Sequence, residues 1–146
     1  MSVIAIGKLL GGRRIIGHEV RSTDELIAAV RRGFPSGSLD RLVNVFQSAD
    51  LTVADIYRAV GSVRTLQRKH ANRLRLTLGE SDRLARLARV LVRAESALGD
   101  APRGRRWMTE PNQALGEERP IDLLDSDAGT LAVEQVLGRV EHGVYE

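Results

Sequence analysis

Leu51-Thr-Val-Ala-Asp-Ile-Tyr-Arg-Ala-Val-Gly-Ser-Val-Arg-Thr-Leu-Gln-Arg-Lys-His-Ala71 is the stretch on which the fold turns. Its first half sets Val53, Ile56, Tyr57 and Val60 at helical intervals, with Thr52 ahead of them and Asp55 three residues on. Its second half opens on Ser62, whose hydroxyl type satisfies the free N–H groups of a first turn. Gly61 between them is expected to supply the positive φ that a tight helix–helix turn often needs. The second helix has a narrow apolar stripe, Val63, Leu66 and Leu74, so it is anchored along one edge and leaves most of its surface free. That surface is expected to present Ser62, Arg64, Thr65, Gln67, Arg68 and Lys69. Such side chains hydrogen-bond base edges or neutralise phosphates when a helix-turn-helix enters a major groove.

Upstream, Ser22 and Glu25 form a capping-box pattern ahead of Leu26, Ile27, Val30 and Phe34, with Gly33 and Pro35 marking the stop. A further helix is expected over residues 38–46. Residues 1–20 read weakly, as a short strand, a hairpin or a mobile arm. Downstream, residues 80–98 form the most regular helical pattern, with Leu84, Leu87, Ala88, Leu91 and Leu98 in register. Residues 99–104 read as a linker or short break, Trp107 and Met108 as a short helix or turn, and 111–120 as turn chemistry. A last helix is expected over 126–142, burying Val133, Val136, Leu137 and Val140, with Leu115, Ile121, Leu123 and Leu124 packed against it. No run alternates as a strand does, and at 3% aromatic content the core rests on aliphatic side chains. The expected class is all-α: an N-terminal helix-turn-helix region over 1–75 and a small helical C-terminal domain over 76–146.

Charge is unevenly spread. Net charge is +3, yet residues 58–93 hold ten basic side chains against Glu80 and Asp82, whereas 110–146 hold nine acids against Arg119 and Arg139. The middle and the end are therefore expected to bind different partners, nucleic acid for the one and protein for the other. Catalysis has no visible basis. There is no cysteine, and His18, His70 and His142 lack metal-ligand spacing. Gly11-Gly12 lacks the Gly-Lys-Ser/Thr ending of a phosphate loop, and Ser62 and Ser81 read as helix caps, not nucleophiles. No catalytic residue, metal or cofactor is expected. The apolar N-terminal stretch is too short for a signal peptide or a membrane span, so a cytoplasmic protein is expected.

Several separated motifs carry a family resemblance. They are Arg64-Thr-Leu-Gln-Arg68, Leu78-Gly-Glu-Ser-Asp-Arg-Leu-Ala-Arg-Leu-Ala-Arg89, Trp107 with Pro111-Asn-Gln-Ala-Leu-Gly116, Pro120-Ile-Asp-Leu-Leu124 and Gly138-Arg-Val-Glu-His-Gly-Val-Tyr145. In this order they make the chain similar to the Xre/MbcA/ParS-type antitoxins, which pair with RES-domain toxins in type II toxin–antitoxin systems. The resemblance implies an Xre-like DNA-binding region and a C-terminal toxin-binding domain. It also implies an NAD-degrading toxin whose active site the antitoxin blocks, operator DNA as a second partner in autorepression, and a homodimer that builds higher hetero-oligomers with toxin. Two features depart from the family pattern: the Gly61-Ser-Val-Arg-Thr turn looks about one residue short, and Phe34 stands where leucine is common.

The C-terminal residues Arg139, Glu141, His142, Gly143, Val144, Tyr145 and Glu146 are the expected toxin contacts. Gly143 is placed to end the last helix, leaving an apolar-aromatic pair that suits docking on a partner. Glu146 and the terminal carboxylate offer negative charge where a dinucleotide phosphate would sit. The competing reading is a stand-alone helix-turn-helix transcription regulator whose acidic end is a dimerisation module.

Overall fold

The computed structural model describes residues 2–47 and 51–143, and all regular structure among them is helical. Nine α-helices run in order among those residues: α1 (Val3–Leu9), α2 (Gly12–Ile16), α3 (Thr23–Arg32), α4 (Ser36–Phe46), α5 (Val53–Val60), α6 (Val63–Asn72), α7 (Leu78–Leu98), α8 (Ala101–Thr109) and α9 (Asp127–Glu141). Two short 3-10 turns, Gln113–Leu115 and Pro120–Leu123, lie between α8 and α9.

The 21-residue α7 organises the molecule. Leu84, Leu87, Ala88, Val90, Leu91 and Ala94 are all fully buried, and they are too many to lie on one stripe, so α7 is apolar on most of its circumference. Such a helix needs neighbours on several sides. It packs against α1, α3 and α5 as well as against α8 and α9. The division expected at 75/76 falls just ahead of α7, which itself serves the elements on both sides.

Its start is set by Thr77, whose hydroxyl accepts from the Glu80 N–H while the Glu80 carboxylate accepts from the Thr77 N–H. Ser81, expected to be a cap, instead sits buried inside the helix, where its hydroxyl accepts from the Phe34 N–H at 2.9 Å. The Leu76 N–H donates to the Phe34 carbonyl and Arg75 donates to the Gly33 carbonyl, so the lead-in to α7 is clipped to the end of α3. Gly33 is required there. Its φ is +86°, and a Cβ would lie 2.2 Å from the Leu76 carbonyl oxygen.

Two expectations fail at the ends of the pattern. Residues 2–20 are neither strand, hairpin nor arm, because α1 buries Ile6 and is followed by Leu10, which is buried in the same core. Interruption by Gly7, Gly11 and Gly12 hides that helix from periodicity. Gly7 is there for contact, since a Cβ would meet the Val20 side chain at 2.9 Å. Residues 99–104 are not a linker either: the break is confined to Gly99 and Asp100, and α8 starts at Ala101. Asp100 caps α8 by accepting from the Arg103 N–H, and Pro102 lies in the first turn, where its missing N–H costs nothing.

Candidate nucleic-acid interface and partner-binding module

The helix-turn-helix is α5, Gly61-Ser62 and α6. Thr52 and Asp55 close a capping box at the start of α5. Asp55 also accepts from Arg58 at 2.8 Å and pairs at 3.3 Å with Arg119, which reaches it from the C-terminal part of the chain. The Thr52 N–H holds the Asp55 carboxyl down to about 2. Burial opposes this, and the Thr52 hydroxyl and Arg119 add to it. Gly61 does not play the role expected of it. Its φ is 175°, extended backbone open to any residue, and a Cβ would meet only ordinary contacts with Glu80 and Leu66. The turn is held instead by Arg83 of α7, whose Nε donates to the Val60 carbonyl at 2.6 Å, and by the Ser62 hydroxyl, which caps α6 by accepting from the Thr65 N–H.

The expected DNA-facing residues separate on α6. Arg64, Gln67 and Arg68 are exposed, Thr65 is half-buried, and Ser62 is exposed but committed to its cap. Lys69 is elsewhere. It is buried against α7, with its ammonium 2.5 Å from Glu80 Oε1, and both side chains are 9% exposed. Burial pushes the Glu80 carboxyl up, but hydrogen bonds from Lys69 and from the Thr77 N–H outweigh it and hold the group below its ordinary value. Lys69 thus seats α6 on the first turn of α7, and its charge is spent inside the molecule. Arg73, absent from the sequence-derived set, adds an exposed cation at the end of α6, in the left-handed region at φ +52°.

The C-terminal part is held by a ladder of ion pairs. Asp127, Glu134 and Glu141 recur every seventh residue along α9 and meet Arg86, Arg89 and Arg93 of α7. The distances are 2.5 Å for Arg86–Asp127, 3.3 Å for Arg89–Glu134, 3.7 Å for Arg93–Glu134 and 2.9 Å for Arg93–Glu141. The basic middle and the acidic end of the sequence therefore answer one another in part. Beneath the ladder, Val133, Val136 and Leu137 of α9 and Leu115, Ile121 and Leu124 of the preceding turns are buried, and Ser126 caps α9.

Of the expected toxin contacts, Arg139 is half-buried, while Glu141, His142 and Gly143 are at the surface. Glu141 accepts two hydrogen bonds from Arg93, which lower its carboxyl below the ordinary range. His142 Nδ1 lies 2.7 Å from the Gly138 carbonyl, and Gly143 ends the helix at φ +75°. Val144, Tyr145 and Glu146 lie outside the described residues. Among the described residues no cluster of three or more His, Asp or Glu could hold a metal ion, and no helix is long and apolar enough to cross a membrane.

A basic helix-turn-helix joined through one shared helix to a small helical module defines a two-part binding protein. Comparison with known proteins gives it a family. Residues 25–89 match the antitoxin Xre-like helix-turn-helix domain, and residues 93–143 match the antitoxin Xre/MbcA/ParS C-terminal toxin-binding domain. The antitoxin Xre of Yersinia enterocolitica is 34% identical over 134 residues, covering 90% of this chain and 88% of that protein. The antitoxin Xre of Photorhabdus laumondii is 32% identical over 133 residues, with the same coverage of 90% and 88%. A Sphingobium protein named Prs ADP-ribosylating antitoxin is 26% identical over 128 residues, 82% of this chain and 79% of its own length. The chain belongs to the Xre antitoxin family of toxin–antitoxin systems, as its motifs implied. The two matched domains meet inside α7, between residues 89 and 93.

Proposed function

We propose that this antitoxin neutralises a RES-domain, NAD-degrading toxin by covering its active site with the end of α9 and the residues that follow, and that it binds operator DNA through α6 to repress its own operon. The observation that carries the DNA arm is the outward face of α6. Arg64, Gln67 and Arg68 are exposed together there, and neither guanidinium is tied up in an ion pair among the described residues. Two such arginines at i and i+4 suit phosphate neutralisation and base contact from a helix lying in the major groove.

The toxin arm is supported by the matched toxin-binding domain, which reaches residue 143 and so includes Arg139, Glu141, His142 and Gly143. The apolar and aromatic Val144 and Tyr145 that follow are suited to burial on a partner. ADP-ribosylation appears in the name of the Sphingobium relative, so the partner enzyme is assayed for both NAD loss and ADP-ribosyl transfer.

The test has two independent arms. Deleting residues 142–146 should leave the helical fold intact and abolish rescue of toxin-arrested cells and of their NAD pool; full rescue by the truncated chain refutes active-site blocking by this end. Arg64→Ala with Arg68→Ala should weaken operator binding and lower its log–log salt slope by up to about 2. Unchanged operator affinity refutes the DNA arm.

A further inference from the structure

α4 starts at an open recess of about 570 Å³ that it shares with the end of α6. Ser36 and Gly37 line it from the first turn of α4, Asp40 from the next turn, and His70 and Arg73 from the other wall. The helix start leaves donors free there. Pro35, in the N-cap position, has no side chain that could accept from the first turn. The Ser38 N–H donates to the Pro35 carbonyl at 3.0 Å, whereas the Ser36 and Gly37 N–H groups have no partner among the described residues. The positive end of the helix dipole adds to them.

Ser36 brings a feature that the helix start alone would not. It is 8% exposed, yet its hydroxyl has no hydrogen-bond partner among the described residues. A hydroxyl at that depth is normally satisfied, and the recess that Ser36 lines is where a partner would reach it. Arg73 supplies a guanidinium that is exposed and has no ion pair among the described residues. Two backbone N–H groups, a hydroxyl and a guanidinium together suit a tetrahedral oxyanion.

Asp40 decides which oxyanion. Its side chain is 39% exposed and its Oδ1 lies 2.8 Å from His70 Nδ1, while Oδ2 has no partner among the described residues. An ionised carboxylate accepts and never donates, so it repels a neighbouring anion unless that anion carries a proton of its own. Monohydrogen phosphate has such a proton. Sulfate at neutral pH and the phosphodiesters of a nucleic-acid backbone have none.

We propose that the recess between α4 and α6 binds inorganic phosphate. The Ser36 and Gly37 N–H groups, the Ser36 hydroxyl and Arg73 donate to it, and Asp40 Oδ2 accepts its proton. The site uses neither Arg64 nor Arg68 nor any residue of α9, so it is separate from both arms of the function proposed above.

The test is an amide NMR titration of the isotope-labelled full chain with three anions at constant ionic strength and neutral pH. Inorganic phosphate should shift the Ser36 and Gly37 signals saturably. Sulfate and dimethyl phosphate should bind at least about tenfold more weakly, the worth of one charge-assisted hydrogen bond. Ser36→Ala should weaken phosphate binding by about tenfold with unchanged helical circular dichroism. Asp40→Asn should admit sulfate and bring the two anions close to equality. Shifts that do not saturate, or sulfate bound as well as phosphate by the wild-type chain, leave an adventitious ion only and overturn the proposal. Tighter binding of dimethyl phosphate assigns the recess to a nucleic-acid backbone and overturns it equally, as does wild-type affinity in Ser36→Ala. The comparison of the three anions needs no variant, so it decides the matter should either substitution unfold the chain.

Discussion

α6 and α9 are amphipathic helices resting on the same long support, and they use their charges in opposite ways. On α6 one cation turns inward, Lys69 onto Glu80, while Arg64 and Arg68 stay at the surface. On α9 Asp127, Glu134 and Glu141 each meet an arginine of α7, Asp127 from a fully exposed position and the two glutamates from partly buried ones. Counted along the chain, the two regions look like mirror images, one basic and one acidic. In three dimensions the basic helix is available to a polyanion and the acidic helix is largely neutralised by its neighbour. The charge of a segment is therefore a poor guide to the charge of a surface when the complementary segment belongs to the same core.

The largest effect is expected where that contrast is deepest, at the buried charge of α6. Lys69→Met leaves the Glu80 carboxylate without its counter-charge inside the protein, a change that costs about 3–5 kcal/mol. Pairing it with Glu80→Gln should return most of that loss, because the uncompensated charge and not the missing ion pair is the main cost. Urea unfolding of the two single variants and the double variant gives the coupling directly. A Lys69→Met loss below about 1 kcal/mol places the pair in the weak class of surface ion pairs and removes the contrast.

Lys69 also marks where the sequence stopped being legible. Counted as one more base on a basic helix, it joined Arg64 and Arg68. Yet it stands three residues after the fully buried Leu66, on the same helical edge, and periodicity alone was enough to turn it inward. The all-helical class, the helix-turn-helix and α9 were readable because capping residues and apolar spacing agree at each of them. The first twenty residues and α8 were not. Their glycines and Pro102 look like breakers in one dimension, but Gly7 and Gly104 are close approaches: a Cβ on Gly104 would lie 2.6 Å from the Glu95 backbone of α7. The ladder between α7 and α9 was likewise hidden, because the paired residues lie 41 to 48 positions apart.

A smaller effect separates the two regions by pH. Asp55 caps α5 and bridges to Arg119, with its carboxyl lowered from 3.8 to about 2. A carboxyl lowered by folding contributes stability that is fully present above its unfolded value and is lost as pH falls toward its folded one. The Asp55 contribution should therefore vanish between about pH 4 and pH 2. Asp55→Asn should cost about 1 kcal/mol at neutral pH, the worth of a capping group, and flatten the acid limb of the stability profile over that window. An unaltered acid limb shows that the Asp55 carboxylate, cap and bridge together, carries no weight.

The smallest effect is the most informative about α9. Glu141 is a candidate toxin contact that is already held by Arg93, and both side chains are about one-third exposed. Such a pair is worth about 0.5 kcal/mol to the fold, so Glu141→Gln should barely move the unfolding midpoint. Neutralisation then distinguishes two roles. If Arg93 spends the carboxylate entirely on holding the end of α9, toxin inhibition by Glu141→Gln should equal that of wild type, and Arg93→Ala should weaken inhibition by loosening the helix end. If Glu141 leaves Arg93 to meet the toxin, Glu141→Gln should lose inhibition at unchanged stability, and Arg93→Ala should improve it by releasing the acid. The opposite signs expected for Arg93→Ala make the measurement decisive, and the first outcome is the one that the two hydrogen bonds from Arg93 to Glu141 favour.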